Sequence, residues 1–523
     1  MNIKNSKLIP KLIGVLVASI FTLNVSAEEL TTLKAMVEKV ITTNPEVQNK
    51  YHEYAASGYD VDIARSGYLP KADIVGNYRA QEIKDGGLSR RNGTAIPTAN
   101  TELVLRQMIF DGLGTYREVD RLSHAQRAKY YELQSTMQNV SYDFTKTYID
   151  TLRYTELLNF AKTNYVTHKQ YYDKIKERVD AGVARRVDLQ QAEGRLALAE
   201  SNLLTEATNL HDTTVRMQRL LGEVAPTDLA PVKYDGGIQP SIKDALSYAY
   251  ANNPDLKAAI ENVELSKSAI SSRKAKYYPT LDLQARKNLD VSNDGKNSTS
   301  AADLLALSMN FNLFNGGADK AAVSRSAEQL NQAHDLQDKA CLDTRQVASI
   351  AYNDIEQLKS QLAYRDLHQK SIEEARDAYR KQFDIGQRTL LDLLDTENEY
   401  FQAKRAKLNA EYDVQNAYAR LYSAQGVLLN KIGSSRQGLP EISASAYSDT
   451  AGACGAIAPE QMGIDKEALL ASAAPLSTAP KREVKPVEKV VIGDNLQDVF
   501  FEPSSATIKP SFFPALDAAV ETL

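Results

Sequence analysis

The chain has 523 residues, of which 43% are hydrophobic and 25% charged, with 62 Lys and Arg against 67 Asp and Glu. This near balance of charge excludes the strongly basic composition expected of a nucleic-acid-binding protein, so no nucleic-acid partner is predicted. The six histidines stand singly, and no nucleophile motif, metal-ligand spacing or glycine-rich phosphate loop occurs. We therefore predict neither an enzyme nor a bound cofactor or metal.

The first 27 residues have the pattern of a secretory signal peptide. A lysine-containing start precedes an apolar run from Leu12 to Val25, and Val25-Ser26-Ala27 offers small residues for cleavage. The apolar run is shorter than the ~17 residues that a transmembrane helix usually needs. We predict a signal peptide at residues 1–27 and no transmembrane helix in the mature chain.

The mature chain carries the same landmarks twice, at an offset of about 200 residues. Asn44-Pro45 recurs as Asn253-Pro254, Phe110-Asp111-Gly112 as Phe314-Asn315-Gly316, and Gly182 with Asp188 as Gly386 with Asp392. This internal two-fold repeat predicts two pseudo-equivalent halves, residues 28–222 and 241–435, with a connector at 223–240. A linker at 436–490 and a tail at 491–523 are predicted to follow.

Each half contains a pair of segments in which apolar and polar residues alternate, near 70–110 in the first half and near 279–314 in the second. In the second half the apolar series is Leu305, Leu307, Met309, Phe311 and Leu313, and the polar series is Ser308, Asn310 and Asn312. Strands of about 9–11 residues with one apolar face and one small polar face are typical of transmembrane barrels. We predict that the apolar series faces lipid and the polar series faces a water-filled lumen. An ordinary half-buried sheet is the alternative, and residues 84–100 and 292–301 are predicted to be exposed hairpin loops.

Four strands cannot close a membrane barrel, because bacterial barrels have at least about 8 strands and an open edge in lipid leaves backbone groups unpaired. The chain is therefore predicted to oligomerise, with each copy adding four strands to a shared wall. The strand pattern leaves the number of copies open.

Very long helices are predicted after each strand pair. No proline occurs from Tyr116 to Asp180 or from Lys320 to Asp384, and each stretch would be about 100 Å long as a helix. Each is followed by a glycine break and a second helix, and in the first of these the apolar residues step by threes and fours as in a coiled coil. Such helices are predicted to pack side by side into a rod or tube.

The two cysteines, Cys341 and Cys454, carry no metal-binding spacing. They could pair, but free thiols or an optional disulfide are preferred. Near the end of the chain, residues 499–523 resemble the opening of an OmpA-like peptidoglycan-binding domain, through Phe500-Phe501-Glu502 and Ile508-Lys509-Pro510. The sequence stops before that family's binding residues, so peptidoglycan binding is not carried over.

The order of signal peptide, repeated strand pairs and long helices resembles the TolC-like outer-membrane efflux and secretion ducts, over roughly residues 29–435. The most specific stretch is Gly-Gln-Arg-Thr-Leu-Leu-Asp-Leu-Leu-Asp at residues 386–395. In that family this stretch lies at the periplasmic tip, and its two aspartates form rings that constrict the tunnel. The gate residues implied by the resemblance are Asp392, Asp395, Arg388, Asp188, Gly182, Gly386 and Thr389. Val187 and Phe383 depart from the residues often found there.

The resemblance implies a membrane α+β fold in which a homotrimer forms one 12-strand barrel in the outer-membrane lipid, continued by a long α-helical tunnel in the periplasm. It also implies a periplasmic adaptor (membrane fusion) protein and an inner-membrane ABC or proton-driven transporter as partners. Arg388 is expected to pair with Asp188 of a neighbouring helix. The expected function is an export duct for type I protein secretion. The alternatives are the outer-membrane component of a multidrug efflux pump and a periplasmic coiled-coil adaptor or scaffold.

Overall fold

The computed structural model describes residues 32–81, 96–234, 236–288, 303–436, 439, 454–455, 463–474, 510–514 and 517. The chain divides into two compact units, Met1–Glu460 and Gln461–Leu523. The predicted signal peptide and most of the predicted tail, including its OmpA-like motifs before residue 510, lie outside the described residues.

One order of elements runs through the first unit twice. The first series is α1 (Leu33–Thr43), α2 (Pro45–Arg65), β1 (Lys71–Gln81), β2 (Ile96–Phe110), α3 (Gly114–Asp180) and α4 (Arg186–Leu221). The second series is α5 (Ile242–Asn252), α6 (Pro254–Lys274), β3 (Thr280–Asn288), β4 (Leu304–Asn310), α7 (Ala318–Asp384) and α8 (Leu390–Ala424), followed by α9 (Leu428–Ile432). Both α3 and α7 have 67 residues, which corresponds to about 100 Å.

The two Asn-Pro landmarks have the same structural role in the two series. Asn44 caps α2 by accepting a hydrogen bond from the Glu46 N–H, and proline occupies the first turn, where its missing N–H is no loss. The Asn44 Nδ2 also donates to the Leu220 carbonyl at the end of α4 (3.3 Å). Asn253 likewise caps α6 and donates to the Ala424 carbonyl at the end of α8 (2.9 Å). Each asparagine therefore joins the start of one helix to the end of another.

The strands form an antiparallel sheet in the order β1-β2-β3-β4 within the described residues. Across β3 and β4 the facing apolar pairs are Leu281 with Met309, Leu283 with Leu307 and Ala285 with Leu305. The opposite face carries the pairs Asp282 with Ser308 and Gln284 with Ala306. The sheet is thus apolar on one face and mainly polar on the other, as the alternation predicts.

The strand ends differ from the predicted ones at two places. β4 ends at Asn310, so Phe311, Asn312 and Leu313 lie beyond the strand although the alternation continues through them. The reason is that β3 begins at Thr280, which already pairs with Asn310, and the preceding Pro279 has no N–H to continue the ladder. In the first half, β2 begins at Ile96, inside the predicted loop, because β1 extends far enough to pair with it.

Gln107 interrupts the apolar series of β2, and its hydrogen bonds explain why. Its Nε2 donates to the carbonyl oxygens of Tyr68 (3.0 Å) and Met108 (2.8 Å). The amide therefore satisfies backbone groups where the chain enters the sheet, next to the irregularity in pairing between Met108 and Phe110.

The main apolar core lies where the short helices α1, α5 and α9 cross the long helices, a level that we call the waist. In the first half Ile41 packs with Leu133, Phe144 and Tyr148 of α3. In the second half the core includes Ile355, Tyr418, Tyr422 and Leu428 of α7, α8 and α9. Burial of each such side chain contributes about 1.5–3 kcal/mol, so the waist is where burial stabilises the unit most.

The segment after α9 packs on the waist although it falls within the predicted linker at 436–490. The guanidinium of Arg436 lies 4.3 Å from the centre of the Tyr51 ring and donates to the Ile41 carbonyl (3.2 Å). Further along, Cys454 forms a disulfide with Cys341 of α7. The two cysteines therefore pair, which corrects the expectation of free thiols and agrees with that of an optional disulfide. A separation of 113 residues along the sequence gave no sign that the two cysteines meet.

The second unit contains α10 (Lys466–Ser472), capped by Asp465, and a short 3-10 turn at Pro510–Phe512. Part of the predicted linker is therefore helical. None of the helices in the described part of the chain combines the length and the apolarity needed to cross a membrane.

Candidate functional site

The two breaks between the long helices have the same backbone geometry. Gly182 after α3 and Gly386 after α7 have φ angles of +75° and +78°, a region that glycine adopts without steric cost. In the first break Gly182 donates to the Val179 carbonyl, and the next N–H donates to the Arg178 carbonyl (both 2.9 Å). The second break has the same pair of hydrogen bonds. Each is a Schellman motif, which ends a helix and satisfies its last carbonyl groups.

The start of α8 is fixed by a reciprocal capping box between Thr389 and Asp392. The Thr389 hydroxyl accepts from the Asp392 N–H, and the Asp392 carboxylate accepts from the Thr389 N–H (both 3.2 Å). The hydroxyl also donates to this carboxylate (2.8 Å). These bonds from the Thr389 hydroxyl and N–H lower the pKa of Asp392, and the nearby Arg388 adds to the effect. Asp392 is thus held as a carboxylate by mainly neutral donors.

Asp188 occupies the matching third position of α4, but no side chain caps that helix. Arg185 stands where Thr389 stands in the other half, and its guanidinium lies 3.5 Å from the Asp188 carboxylate. The two predicted gate aspartates at the helix starts are therefore equivalent in backbone position and different in partner.

Arg388 contacts neither Asp188 nor another carboxylate among the described residues of its own protomer. Its Nε donates to Gln382 (2.9 Å), and its guanidinium lies 4.3 Å from the centre of the Tyr379 ring. Both partners lie on α7, one turn before the break. The expected pairing of Arg388 with Asp188 of a neighbouring helix is not formed within this chain.

Asp395, one turn after Asp392, is paired with a residue that the sequence analysis missed. Arg195 of α4 donates from its Nη2 to the Asp395 carboxylate. The pair joins the two halves across 200 residues of sequence. No local pattern marks Arg195, so only the packing of α4 beside α8 reveals it.

His168 of α3 is 3% exposed and lies within electrostatic reach of Arg195. Burial, together with the positive charge of Arg195, lowers the pKa of His168 to about 4. The imidazole is therefore neutral at physiological pH, and its Nδ1 has no hydrogen-bond partner within the described structure.

A small apolar cluster closes the space between the helices at this end. Leu390 and Leu394 of α8 pack with Ala192 of α4 and Ile175 of α3, and Phe383 contacts the cluster. Phe383 therefore contributes apolar packing at this end of the helices. This end of the helices, with its two breaks and its cluster, is called the tip below.

The sheet provides a second candidate surface. Leu305, Leu307 and Met309 are 73%, 67% and 69% exposed. They form one row on β4, and Ser308 and Asn310 lie on the other face of the same strand. An exposed apolar row of this size on a sheet marks a surface that contacts lipid or protein. No group of three or more potential metal-ligating side chains occurs in the part of the chain that the structure describes.

The family described as outer membrane efflux protein matches residues 36–223 and 245–427 of this chain. Among curated proteins, the chain is 24% identical over 399 residues to the outer membrane efflux protein BepC of Brucella suis, covering 76% of this chain and 85% of that protein. It is 26% identical over 309 residues to the alkaline protease secretion protein AprF of Pseudomonas aeruginosa, covering 56% of this chain and 63% of that protein. Among solved structures, the CmeC outer membrane channel of Campylobacter jejuni superposes with a TM-score of 0.67 at 16% identity, covering 81% of this chain and 90% of that one.

Proposed function

The chain belongs to the outer membrane efflux protein family, and from this premise we propose that three copies form an exit duct for type I protein secretion. Its place is the outer membrane, and its role is transport in efflux or secretion. We propose in addition that the chain forms a trimer, that it exports a protein, and that it works with the partners named below.

The observation that carries the proposal is a four-stranded sheet with an exposed apolar face and two edges. β1 and β4 each pair on one side only within the described residues. An unpaired edge in lipid costs several kcal/mol for each unsatisfied backbone group. Three copies placed edge to edge would pair every edge and give the 12-strand wall. Leu305, Leu307 and Met309 would then face lipid, and Ser308 and Asn310 would face the lumen.

Below the sheet, the two series of long helices would form the periplasmic tunnel, and the tip would be its constriction. Asp392 and Asp395 lie three residues apart on α8, and threefold symmetry would arrange them as two rings of carboxylates. Such rings attract cations. Gly182 and Gly386 provide the turns, Thr389 fixes the start of α8, and Arg388 and Asp188 are the proposed link between neighbouring protomers.

Type I secretion is proposed on two grounds. The secretion relative AprF aligns with this chain, and the chain continues beyond the matched region into a second compact unit. Small-molecule efflux is the second candidate, favoured by the efflux relative BepC. Either function needs a periplasmic adaptor protein and an inner-membrane transporter, ABC-type for secretion or proton-driven for efflux. The scaffold alternative has no support from the relatives.

Deletion of the gene, with complementation by the wild-type chain, tests whether the duct exports a protein or small toxic compounds. We expect the deletion strain to lose a large secreted protein from the medium and to keep its resistance to small toxic compounds. The reverse result would favour efflux. Cross-linking of the detergent-extracted protein tests the duct itself, since a protein that washes off membranes without detergent or stays monomeric would contradict it.

A further inference from the structure

α4 and α8 form a seam that joins the two halves of one protomer. Both helices start at the tip and run side by side, with Ala192 of α4 against Leu390 and Leu394 of α8. Farther from the tip along the same two helices lie two ion pairs. The arginine comes from α4 in one pair and from α8 in the other. Arg195 of α4 binds Asp395 of α8, and Arg405 of α8 binds Glu206 of α4 at 2.8 Å. The pairs are about three helical turns apart, so both lie on the same seam.

The two ion pairs differ in the solvent exposure of their acidic side chains. Glu206 is 2% exposed and satisfied by Arg405, so this pair is internal to the seam. The Asp395 side chain is 50% exposed and the Arg195 side chain 31%. Asp395 therefore touches solvent while its charge is balanced by Arg195. Asp392, one turn nearer the break, has the hydroxyl and N–H of Thr389 as its partners and keeps its full negative charge.

We propose that Arg195 is a positioning residue that sets the charge of the constriction by holding and neutralising Asp395. This inference rests on the proposed function, since it requires Asp395 to line the tunnel. In the arrangement of this structure Arg195 binds Asp395, whereas the direct partners of Asp392 are the neutral groups of Thr389, so Asp392 supplies more of the unbalanced negative charge. When α8 moves away from α4, Asp395 is released from Arg195 and the constriction gains a second set of negative charges. The affinity of the tip for cations therefore depends on its state.

The surroundings of Arg195 support this assignment. On α4, Arg195 follows Ala192 of the apolar cluster by three residues, and its positive charge acts on the buried imidazole of His168. The neutral imidazole offers Arg195 no opposite charge, so the attraction on this side comes from Asp395. Because the pair is partly solvated, its contribution to stability is small. Its main effect is on the electrostatic potential at the constriction.

Block of single channels by Mg²⁺ in planar bilayers tests the proposal. Arg195→Gln should lower the Mg²⁺ concentration for half-block at least threefold and increase cation selectivity. Arg195→Lys keeps the charge and should restore block close to that of the wild type. Arg405→Gln is the matched control, because it breaks an ion pair of the same seam away from the constriction and should leave block unchanged. Retention of the oligomer in detergent shows that each variant is folded.

Two further variants separate this inference from the proposed function. Asp392→Asn and Asp395→Asn should each weaken Mg²⁺ block. If both leave it unchanged, the acidic constriction is wrong and the role of Arg195 fails with it. If both weaken block and Arg195→Gln does not strengthen it, the constriction stands and the inference on Arg195 alone is overturned. An equal change in Arg405→Gln would also overturn it, because the effect would then belong to the whole seam.

Discussion

Asp392 and Asp395 show how two carboxylates one turn apart can differ in electrostatic role. Asp392 accepts hydrogen bonds from Thr389 at the helix start, where the partial positive charge of the backbone N–H groups also favours an anion. Asp395 is compensated by an arginine from another helix. Spacing along α8 alone would make the two equivalent. Their difference follows from which neighbour each one meets.

His168 should make the protein sensitive to acid. Its folded pKa of about 4 lies below the value of about 6.5 expected in the unfolded chain. As pH falls from about 6.5 to about 4, the unfolded chain takes up a proton that the folded imidazole does not. Stability is therefore full above pH 6.5 and decreases through this window, by up to about 3 kcal/mol.

His168→Gln should remove this part of the acid-induced loss. Denaturant unfolding of the detergent-solubilised protein at pH 7.5 and at pH 4.5 measures it. His211→Gln, at an exposed position of α4, is the matched control and should behave as the wild type. Equal pH dependence in the wild type and in His168→Gln would show that another group is responsible.

At the scale of elements, the faces of β4 give a direct test of the membrane assignment. Leu307 and Ser308 are adjacent, in the middle of the strand, and lie on opposite faces. Leu307→Arg should destabilise the folded protein in lipid by about 2–4 kcal/mol if the site is near the bilayer midplane, and Ser308→Arg by far less. Urea unfolding from lipid vesicles measures both. A similar cost at the two positions would contradict the assignment of the faces.

Local patterns were enough to predict most elements but not the contacts between them. Alternation located the strands, and the long stretches free of proline located α3 and α7. Five of the seven buried positions of α4, however, repeat every seven residues and include two polar side chains; they are Ala192, Ala199, Glu206, Thr213 and Leu220. A search for apolar residues could not find Glu206, because its burial depends on Arg405 in the other half.

The same limit applies to the candidate site. The motif at residues 386–395 located the helix break and the two aspartates, Asp392 and Asp395, at the start of α8. It could not reveal Arg195, which lies 200 residues away in sequence from its partner. The end of β4 was missed for a related reason, since a strand ends where its neighbour ends and not where its own alternation stops.

At the scale of the whole molecule, the disulfide between Cys341 and Cys454 ties the C-terminal segment to the waist. Cys454 packs with Leu246, Tyr250 and Leu256 of the short helices α5 and α6. Because the bond closes a long loop of 113 residues, its loss should cost about 2–5 kcal/mol.

Cys454→Ser should therefore lower the midpoint of denaturant unfolding, and reductant should lower that of the wild type by a similar amount. Reductant should have no additional effect on the Cys454→Ser protein, which serves as the internal control. If the wild type unfolds at the same midpoint with and without reductant, the bond does not contribute to the stability of the folded unit.

Because the apolar core packs the long helices far from the tip, a small tilt of a helix at the core produces a large displacement at the tip. From Tyr148 at the waist to Asp180 at the break, α3 extends about 50 Å. With the well-packed waist as the fulcrum, a tilt of about 5° moves the far end by about 4 Å, which is roughly the full reach of an ion pair. Arg195 lies nine residues inside α4, about 33 Å from Met217 at the waist, so the same tilt of α4 moves it by about 3 Å and takes it out of hydrogen-bond distance of Asp395. The protein can convert a slight angular change, imposed far from the tip, into the breaking of a specific contact there.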